Sequence, residues 1–230
     1  MDLENLRERL AIIIMIGFAL FIVLTMIAMI LYPGGTYNDS STTGYIFWEN
    51  YFSDTGRTVS HSGKPNTISS VLFTIAFVTM GISLIIFCIL ITHHFAENRV
   101  TKWLSIIGSI LGVISGIFFI GIAFTPVDIL RDEHIFFVEY SALIGFGAVI
   151  LYIISIVLNK SYPRKYLLVF VVFTLITVLY IATWYVGPEH TTREGLIIQV
   201  TIQKIVLYSM IVCFLIQSYG IWKLEKSNTS

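Results

Sequence analysis

Six long runs of apolar residues constrain the fold of this chain more than any other feature of its sequence. Each is long enough to cross a hydrocarbon core of about 30 Å, which takes about 20 helical residues. A backbone in lipid must satisfy its own hydrogen bonds, and the short alternating strands of a barrel are absent from the sequence. The sequence therefore predicts an all-α polytopic membrane protein, with one six-helix transmembrane domain over residues 1–230. The expected helices cover residues 10–32, 67–91, 103–125, 135–158, 166–186 and 196–222.

The composition agrees with this class of protein. Hydrophobic residues make up 56% of the chain and charged residues 12%, about half of the roughly 25% that soluble domains carry. The first apolar run continues well past the roughly 7–15 residues of a signal-peptide core, so we expect it to be retained as the first helix. The formal net charge is zero, and nothing in the charge pattern suggests nucleic acid as a partner.

The basic residues predict the orientation. With the N-terminus in the cytoplasm, nine Lys and Arg residues fall on the inner side, four fall on the outer side, and Lys204 lies within the sixth helix. Short loops rich in Lys and Arg face the cytoplasm. We therefore predict a multi-pass protein of the cell membrane with both termini inside. The inner residues are Arg7, Arg9, Arg99, Lys102, Lys160, Arg164, Lys165, Lys223 and Lys226, and the outer ones are Arg57, Lys64, Arg131 and Arg193.

Polar groups collect at the predicted outer end. The connection at residues 33–66 is the only long one, and it is too rich in aromatic residues for a disordered segment. The stretch FTPVDILRDEHIFFVEY, Phe124 to Tyr140, places six ionisable side chains around the turn between the third and fourth helices. We expect the long loop to fold back over the helix ends and to form an outward-facing polar pocket.

Two charged residues lie inside the predicted helices. Glu139 is five residues into the fourth helix and Lys204 eight residues into the sixth, which places them at depths of roughly 7 and 12 Å. Charges at such depths face the interior of a bundle and are paired. We therefore predict an ion pair between Glu139 and Lys204, with His134 at the rim of the pocket, about 140° around the helix from Glu139.

The candidate site residues come from these loops and helix ends. Candidate acids and bases for a reaction are Asp54, Asp128 and His134. Candidate ligand-binding residues are Arg57, His61, Asn66, Arg131, Glu139, Gln199, Gln203 and Lys204. His and Asp are residues that zinc prefers, but no metal-binding spacing such as HExxH is present, so we predict neither a metal nor another cofactor. Small residues at helical spacing in the third and fourth helices predict close packing and a possible homo-oligomer.

Short motifs resemble known families. YFSDTGRTVSHSGKPNTISSVLFTIAFVTMGISL, residues 51–84, resembles the segment between the first two helices of the Frag/DRAM/Sfk group of six-helix eukaryotic membrane proteins. It also resembles a prokaryotic family of six-helix membrane proteins of unknown function. The matching positions are Ser53, Asp54, Gly56, Pro65, Phe73 and Gly81, then Pro126, Asp128 and His134, and loosely Gln203 and Lys204. The resemblance implies a six-helix fold and a link to lipid handling, and it implies no catalytic residues.

Three functions are consistent with these observations. The first is a protein that binds or organises membrane lipids, with basic residues recognising a phosphate headgroup. The second is a lipid-modifying hydrolase or transferase that uses the Asp and His residues of the outer end. The third is a proton-coupled transporter that uses Glu139 and Lys204. The sequence favours lipid binding and leaves the other two open.

Overall fold

The computed structural model describes residues 3–96, 98–159 and 161–229, and in these residues the regular structure is helical. The six long helices are α1 (Leu3–Ile30), α2 (Thr67–Ile91), α3 (Arg99–Ala123), α4 (Arg131–Leu158), α5 (Arg164–Val186) and α6 (Arg193–Thr229). Two short 3-10 helices, Phe52–Gly56 and Thr92–Phe95, lie in connections. All six long helices are long and apolar enough to cross a membrane. The prediction of an all-α fold with six such helices is confirmed.

Five helices, α1 and α3 to α6, begin before the apolar runs from which they were predicted. Helices α3, α4, α5 and α6 each start at an arginine, and these residues are polar enough to fall outside a hydrophobic pattern. An apolar run marks only the part of a helix that lies in hydrocarbon, whereas the helical hydrogen bonds continue into the polar boundary. For the same reason α6 extends to Thr229, beyond the last apolar residues.

The helices form a ring in which each packs against its neighbours in the chain, and α1 closes the ring against α6. One end of the bundle, here called the loop end, carries residues 31–66, 124–130 and 187–192. The opposite end, here called the terminal end, carries the start of α1, the end of α6 and the connections between α2 and α3 and between α4 and α5. Arg7 near the start of α1 contacts Glu225 near the end of α6 at 2.8 Å, so these two helix ends lie together. Of the inner basic residues, Lys160 lies outside the described residues.

Small residues let α2, α3 and α4 approach closely. A Cβ atom on Gly112 of α3 would lie 2.3 Å from the Cys88 sulfur of α2, and one on Gly81 would lie 2.6 Å from the Gly116 carbonyl. Such distances leave no room for a side chain. The small-residue faces for which we considered an oligomer are therefore occupied within one chain, between its own helices.

Candidate functional site

The long loop at residues 31–66 packs against the helices. Phe52 is buried in the common core, and its backbone N–H donates a hydrogen bond to Gln203 Oε1 of α6 at 3.0 Å. The Ser69 hydroxyl of α2 donates to the Thr55 carbonyl at 3.1 Å. A Cβ atom on Gly56 would lie 2.5 Å from the Phe73 ring, so glycine is required for this close approach. The loop covers the helix ends, as its aromatic content led us to expect.

Asp54 organises the loop. The residue is 3% exposed, and its Oδ2 accepts hydrogen bonds from the Asn50 amide at 3.0 Å and the Tyr51 backbone N–H at 2.9 Å. Its Oδ1 lies 3.0 Å from His61 Nε2. The Asn66 amide secures the following backbone by donating to the Thr55 and Arg57 carbonyls at 3.0 and 2.8 Å. Asp54, His61 and Asn66 therefore hold the loop in one conformation.

Lys204 is buried beneath this loop, at 2% exposure. Its ammonium group donates a hydrogen bond to the Asn50 carbonyl. The rings of Phe47, Tyr45 and Phe52 surround it, with centroids 5.0, 5.4 and 5.7 Å from Nζ. A cation over aromatic faces is stabilised by the ring quadrupoles. The Asp54 carboxylate acts on it electrostatically.

The predicted ion pair between Glu139 and Lys204 is wrong. No contact joins the two side chains, both of which the structure describes. Glu139 is half-buried on α4, where it acts electrostatically on Tyr180 of α5. The physical reason is the loop, which enters the mouth of the bundle and supplies Lys204 with a carbonyl, aromatic rings and the field of Asp54. Helix depth alone gave no information about that loop.

Asp128 joins the loop to the turn between α3 and α4. Its carboxylate accepts hydrogen bonds from the Thr58 backbone N–H at 3.0 Å, the Thr58 hydroxyl at 2.7 Å and the Val59 backbone N–H at 3.0 Å. Partial burial on its own raises the pKa of Asp128, but these hydrogen bonds outweigh burial and lower the pKa below its usual value. Asp128 therefore acts as an anchor for the loop backbone.

His134 lies deeper than predicted. It is 4% exposed, and its Nδ1 is 2.6 Å from the Thr125 carbonyl oxygen. The expectation that His134 would sit at the rim is therefore wrong, because its ring turns inward to the backbone that follows α3, while Arg131, Asp132 and Glu133 of the same turn are exposed. No hydrogen bond or ion pair joins Asp54, Asp128 and His134 to one another within the described parts of the chain.

An elongated cavity runs down from this region between α2, α3, α4, α5 and α6. Its lining on α4 extends from His134 to Tyr152, which corresponds to a length of roughly 27 Å along the helix. The cavity has a volume of about 960 Å³, part of which is open to the surroundings. Most of the walls are apolar, and the polar side chains His134 and Gln203 line it beside Phe52 and Ser53 of the loop.

The other predicted site residues lie on the surface or hold backbone. Arg57 donates to the Val59 carbonyl at 3.0 Å, and Arg131 is exposed at the start of α4. Gln199 donates to the Pro188 carbonyl at 2.6 Å and accepts a hydrogen bond from the Tyr51 hydroxyl at 3.4 Å. None of these three residues lines the cavity.

The sequence did not point to a second buried polar cluster, at the terminal end. Glu225 is fully buried, and its carboxylate lies 2.8 Å from Arg7 Nε and 3.4 Å from His94 Nε2. Of these residues, only Arg7 contributes to the prediction from the sequence, as a determinant of orientation. No sequence signal links them, because 218 positions separate Arg7 from Glu225 and only the closure of the ring brings them together.

Asn50 was also missed, although its backbone carbonyl accepts the hydrogen bond of Lys204. It is 0% exposed, and its side chain accepts from the Ile46 backbone N–H and donates to the Gly35 carbonyl, both at 2.9 Å. An asparagine between aromatic residues in a long loop is the only hint that the sequence provides.

Within the described residues, no group of three or more His, Cys, Asp or Glu side chains gathers as a metal site. Comparison of the chain with models of protein families, with curated proteins and with solved structures finds no match. The functional argument therefore rests on the geometry of the loop end and the cavity.

Proposed function

We propose that this protein is an integral protein of the cell membrane that binds an amphipathic lipid in the cavity between α2, α3, α4, α5 and α6. The observation that carries the proposal is the shape and lining of that cavity. It is long, it has apolar walls, and its few polar side chains include two next to the loop. Ligand pockets in proteins combine mostly apolar walls with a few well-placed polar groups, and this arrangement suits one apolar tail with a polar end.

The placement of the basic residues does not support recognition of a phosphate headgroup. Arg57, Arg131 and Arg193 do not line the cavity, and Arg193 instead contacts Glu49 at 2.7 Å. Lys204 is engaged by the Asn50 carbonyl and the surrounding rings. In the lipid-binding proposal, the polar end of the lipid therefore contacts Gln203 and His134 and not these basic residues.

The two alternative functions have less support from the geometry. The transporter hypothesis rested on a pair between Glu139 and Lys204, and that pair does not form. The enzyme hypothesis needs acids and bases that are free to exchange protons with a substrate, whereas Asp54 and Asp128 are occupied by several loop hydrogen bonds each. The resemblance to families linked to lipid handling agrees with lipid binding.

A cavity-filling substitution tests the proposal. Val149 lines the cavity and is 2% exposed, whereas Leu143 of the same helix is 39% exposed. We expect Val149→Phe to lower the amount of lipid that co-purifies with the protein in detergent, measured by solvent extraction and mass spectrometry per mole of protein. Leu143→Phe is the matched control and should leave that amount unchanged. Equal amounts of lipid in all three proteins, each with an intact melting transition, would contradict the proposal.

We further propose that the terminal end faces the cytoplasm, as the distribution of Lys and Arg predicts. Lys64 at the loop end and Ser161 at the terminal end are exposed, and both native cysteines are buried. In intact cells, a membrane-impermeant thiol reagent should therefore label Lys64→Cys and leave Ser161→Cys unlabelled until the membrane is opened. The opposite pattern of labelling would reverse the orientation.

A further inference from the structure

Most polar side chains on the cavity wall have already used their hydrogens. The hydroxyls of Ser115 and Ser141 donate to the Ser141 and Val138 carbonyls at 2.8 Å, and the Thr177 hydroxyl donates to the Phe173 carbonyl at 2.9 Å. The Tyr152 hydroxyl is paired with the Ser109 hydroxyl at 2.8 Å. The Tyr180 hydroxyl interacts with Trp184, whose indole N–H can only donate. Donor hydrogens that form no hydrogen bond with the described residues therefore remain on Ser53, Tyr180 and Gln203, whereas the free acceptor nitrogen is that of His134.

His134 presents a hydrogen-bond acceptor to the cavity. A carbonyl oxygen only accepts, so the 2.6 Å contact with Thr125 places the ring hydrogen on Nδ1. In the neutral ring Nε2 then carries a lone pair. This nitrogen forms no hydrogen bond with any residue that the structure describes, although the side chain is 4% exposed and lines the cavity. An unpaired acceptor on a buried residue that lines a cavity favours a ligand that supplies a hydrogen-bond donor.

Gln203 presents the complementary group. Its Oε1 accepts the hydrogen bond from the Phe52 backbone N–H at 3.0 Å, and this contact fixes which way the amide points. The Nε2 hydrogens remain, and they form no hydrogen bond with the described residues. Gln203 lines the same cavity as His134. The cavity wall therefore carries a free acceptor, His134 Nε2, and a free donor, Gln203 Nε2, next to the loop.

From this pair of groups we infer that the lipid bound in the cavity ends in an uncharged hydroxyl group. A hydroxyl donates its single hydrogen and accepts through its oxygen, so it can donate to His134 Nε2 and accept from Gln203 Nε2. The inference rests on the proposed function, since it names the class of molecule that the cavity holds: a long apolar tail with a terminal alcohol. It replaces the phosphate headgroup that the basic residues suggested in the sequence.

The lining disfavours charged headgroups. No Asp, Glu, Lys or Arg side chain lines the cavity, and a charge buried in an apolar site without a partner is costly. A carboxylate or a phosphate ester accepts hydrogen bonds only, so it can use Gln203 but faces the lone pair of neutral His134. An alkylammonium group donates only, so it can use His134 but faces the donor hydrogens of Gln203.

Binding of matched sixteen-carbon probes tests the inference. We expect radiolabelled 1-hexadecanol to bind the purified full-length protein in detergent about tenfold more tightly than hexadecyl methyl ether, which keeps the oxygen but lacks the donor hydrogen. One hydrogen bond in a buried site has about this effect. Hexadecanoate, hexadecyl phosphate and hexadecylammonium should compete more weakly than the alcohol at pH 7.5.

A conservative variant isolates the acceptor. His134→Asn keeps an N–H group in the position of Nδ1, facing the Thr125 carbonyl, and removes Nε2. We expect this variant to bind the alcohol and the methyl ether with equal affinity, while the affinity for the ether stays as in the wild-type protein. Melting of the ligand-free variant checks its fold, and Gln203→Glu, which keeps an acceptor for the Phe52 N–H, provides a second test because it should raise the affinity for hexadecylammonium.

The outcomes separate the inference from the proposed function. If every probe binds with equal affinity and Val149→Phe blocks them all, the cavity holds lipid but the hydroxyl inference is wrong. If a charged probe binds more tightly than the alcohol, the inference is likewise wrong. If no probe binds and Val149→Phe has no effect on co-purified lipid, the proposed function itself fails. Tighter binding of the alcohol that is lost only in His134→Asn supports both.

Discussion

The two ends of the bundle bury charge in different ways. At the loop end, Lys204 is met by a main-chain carbonyl and three aromatic rings that the long loop supplies. At the terminal end, Glu225 is met directly by the side chains of Arg7 and His94. A loop can bring a backbone carbonyl to a buried ammonium group. The free backbone groups at the end of α6 are also carbonyls, which cannot donate to a carboxylate, so Glu225 is met by side chains.

Unsatisfied polar atoms follow the same division. At the loop end, the buried side-chain atom without a hydrogen-bond partner in the described residues is Asn66 Oδ1. The terminal half contains several more, namely His94 Nε2, Tyr162 Oη, Gln217 Oε1, Ser218 Oγ and Glu225 Oε1. Two of these atoms, His94 Nε2 and Glu225 Oε1, face each other at 3.4 Å without forming a hydrogen bond, whereas a buried atom that nothing satisfies costs about 1–3 kcal/mol. The loop therefore provides the more complete hydrogen bonding, and rigid helix ends provide less.

Replacement of Asp54 is expected to have the largest effect on stability, and it tests the loop end of this comparison. We expect Asp54→Ala to destabilise the protein by about 3–5 kcal/mol, because it removes the acceptor of two loop hydrogen bonds and the carboxylate that faces buried Lys204. The measurement is the melting transition in detergent. Asp39→Ala is the control, since Asp39 lies in the same loop but is exposed, and it should change the transition little. Equal effects of the two substitutions would mean that the loop does not depend on its buried carboxylate.

Substitution of Glu225 at the terminal end should destabilise the protein somewhat less, and a second substitution should recover part of the loss. We expect Glu225→Leu to cost roughly 2–3 kcal/mol, below the range for a fully buried pair, because the Arg7 side chain keeps 19% exposure. Combining it with Arg7→Met should recover much of that loss, since two side chains share the interaction. Denaturation of the single and double variants gives the coupling energy. Purely additive effects would show that Arg7 and Glu225 do not stabilise each other.

The contribution of Asp128 to the stability of the protein should depend on pH. Because its folded pKa is lowered, its contribution is fully present above the unfolded pKa of about 3.9 and is lost as the pH falls through the folded value. We expect Asp128→Asn to destabilise the protein by about 1–2 kcal/mol at pH 7. The difference between variant and wild type should shrink as the pH falls below about 4. Melting curves from pH 3 to 7 test this, and a constant difference across that range would contradict it.

The smallest effect is expected for Glu139. Since Glu139 and Lys204 make no contact, the substitutions Glu139→Gln and Lys204→Met should add, with a coupling energy below about 0.5 kcal/mol. Lys204→Met should still destabilise the protein on its own, because it removes the partner of the Asn50 carbonyl. A larger coupling energy in this double-mutant cycle would support the ion pair that the sequence predicted.

These contrasts also define what the sequence could predict. The six helices follow from apolar length, which is a local property of the chain. The burial of Lys204 follows from its depth within the sixth apolar run, but its partner does not, because that depends on how a loop 150 positions away folds. The position of His134 was predicted wrongly because its contact with the Thr125 carbonyl depends on how α4 packs beside the end of α3.

Neither the cavity nor the cluster of Arg7, His94 and Glu225 at the terminal end could be predicted from the sequence. A cavity is the space that several helices leave between them, and no single residue reports it. Arg7 and Glu225 meet only when α1 closes against α6. The candidate list did include both groups that face the cavity with free hydrogen-bonding capacity, His134 and Gln203, although for reasons other than the ones that the geometry provides.

The carboxamide of Gln203 belongs to the loop and the cavity at once, since one of its atoms holds the Phe52 backbone and the other faces the cavity. Whatever binds its nitrogen also fixes the oxygen that holds the loop. By thermodynamic linkage this coupling is reciprocal and equal in size. A ligand in the cavity stabilises the loop, and a partner that stabilises the loop raises the affinity of the cavity for its ligand. If a lipid binds there as proposed, the Gln203 carboxamide therefore couples its binding to the stability of the loop.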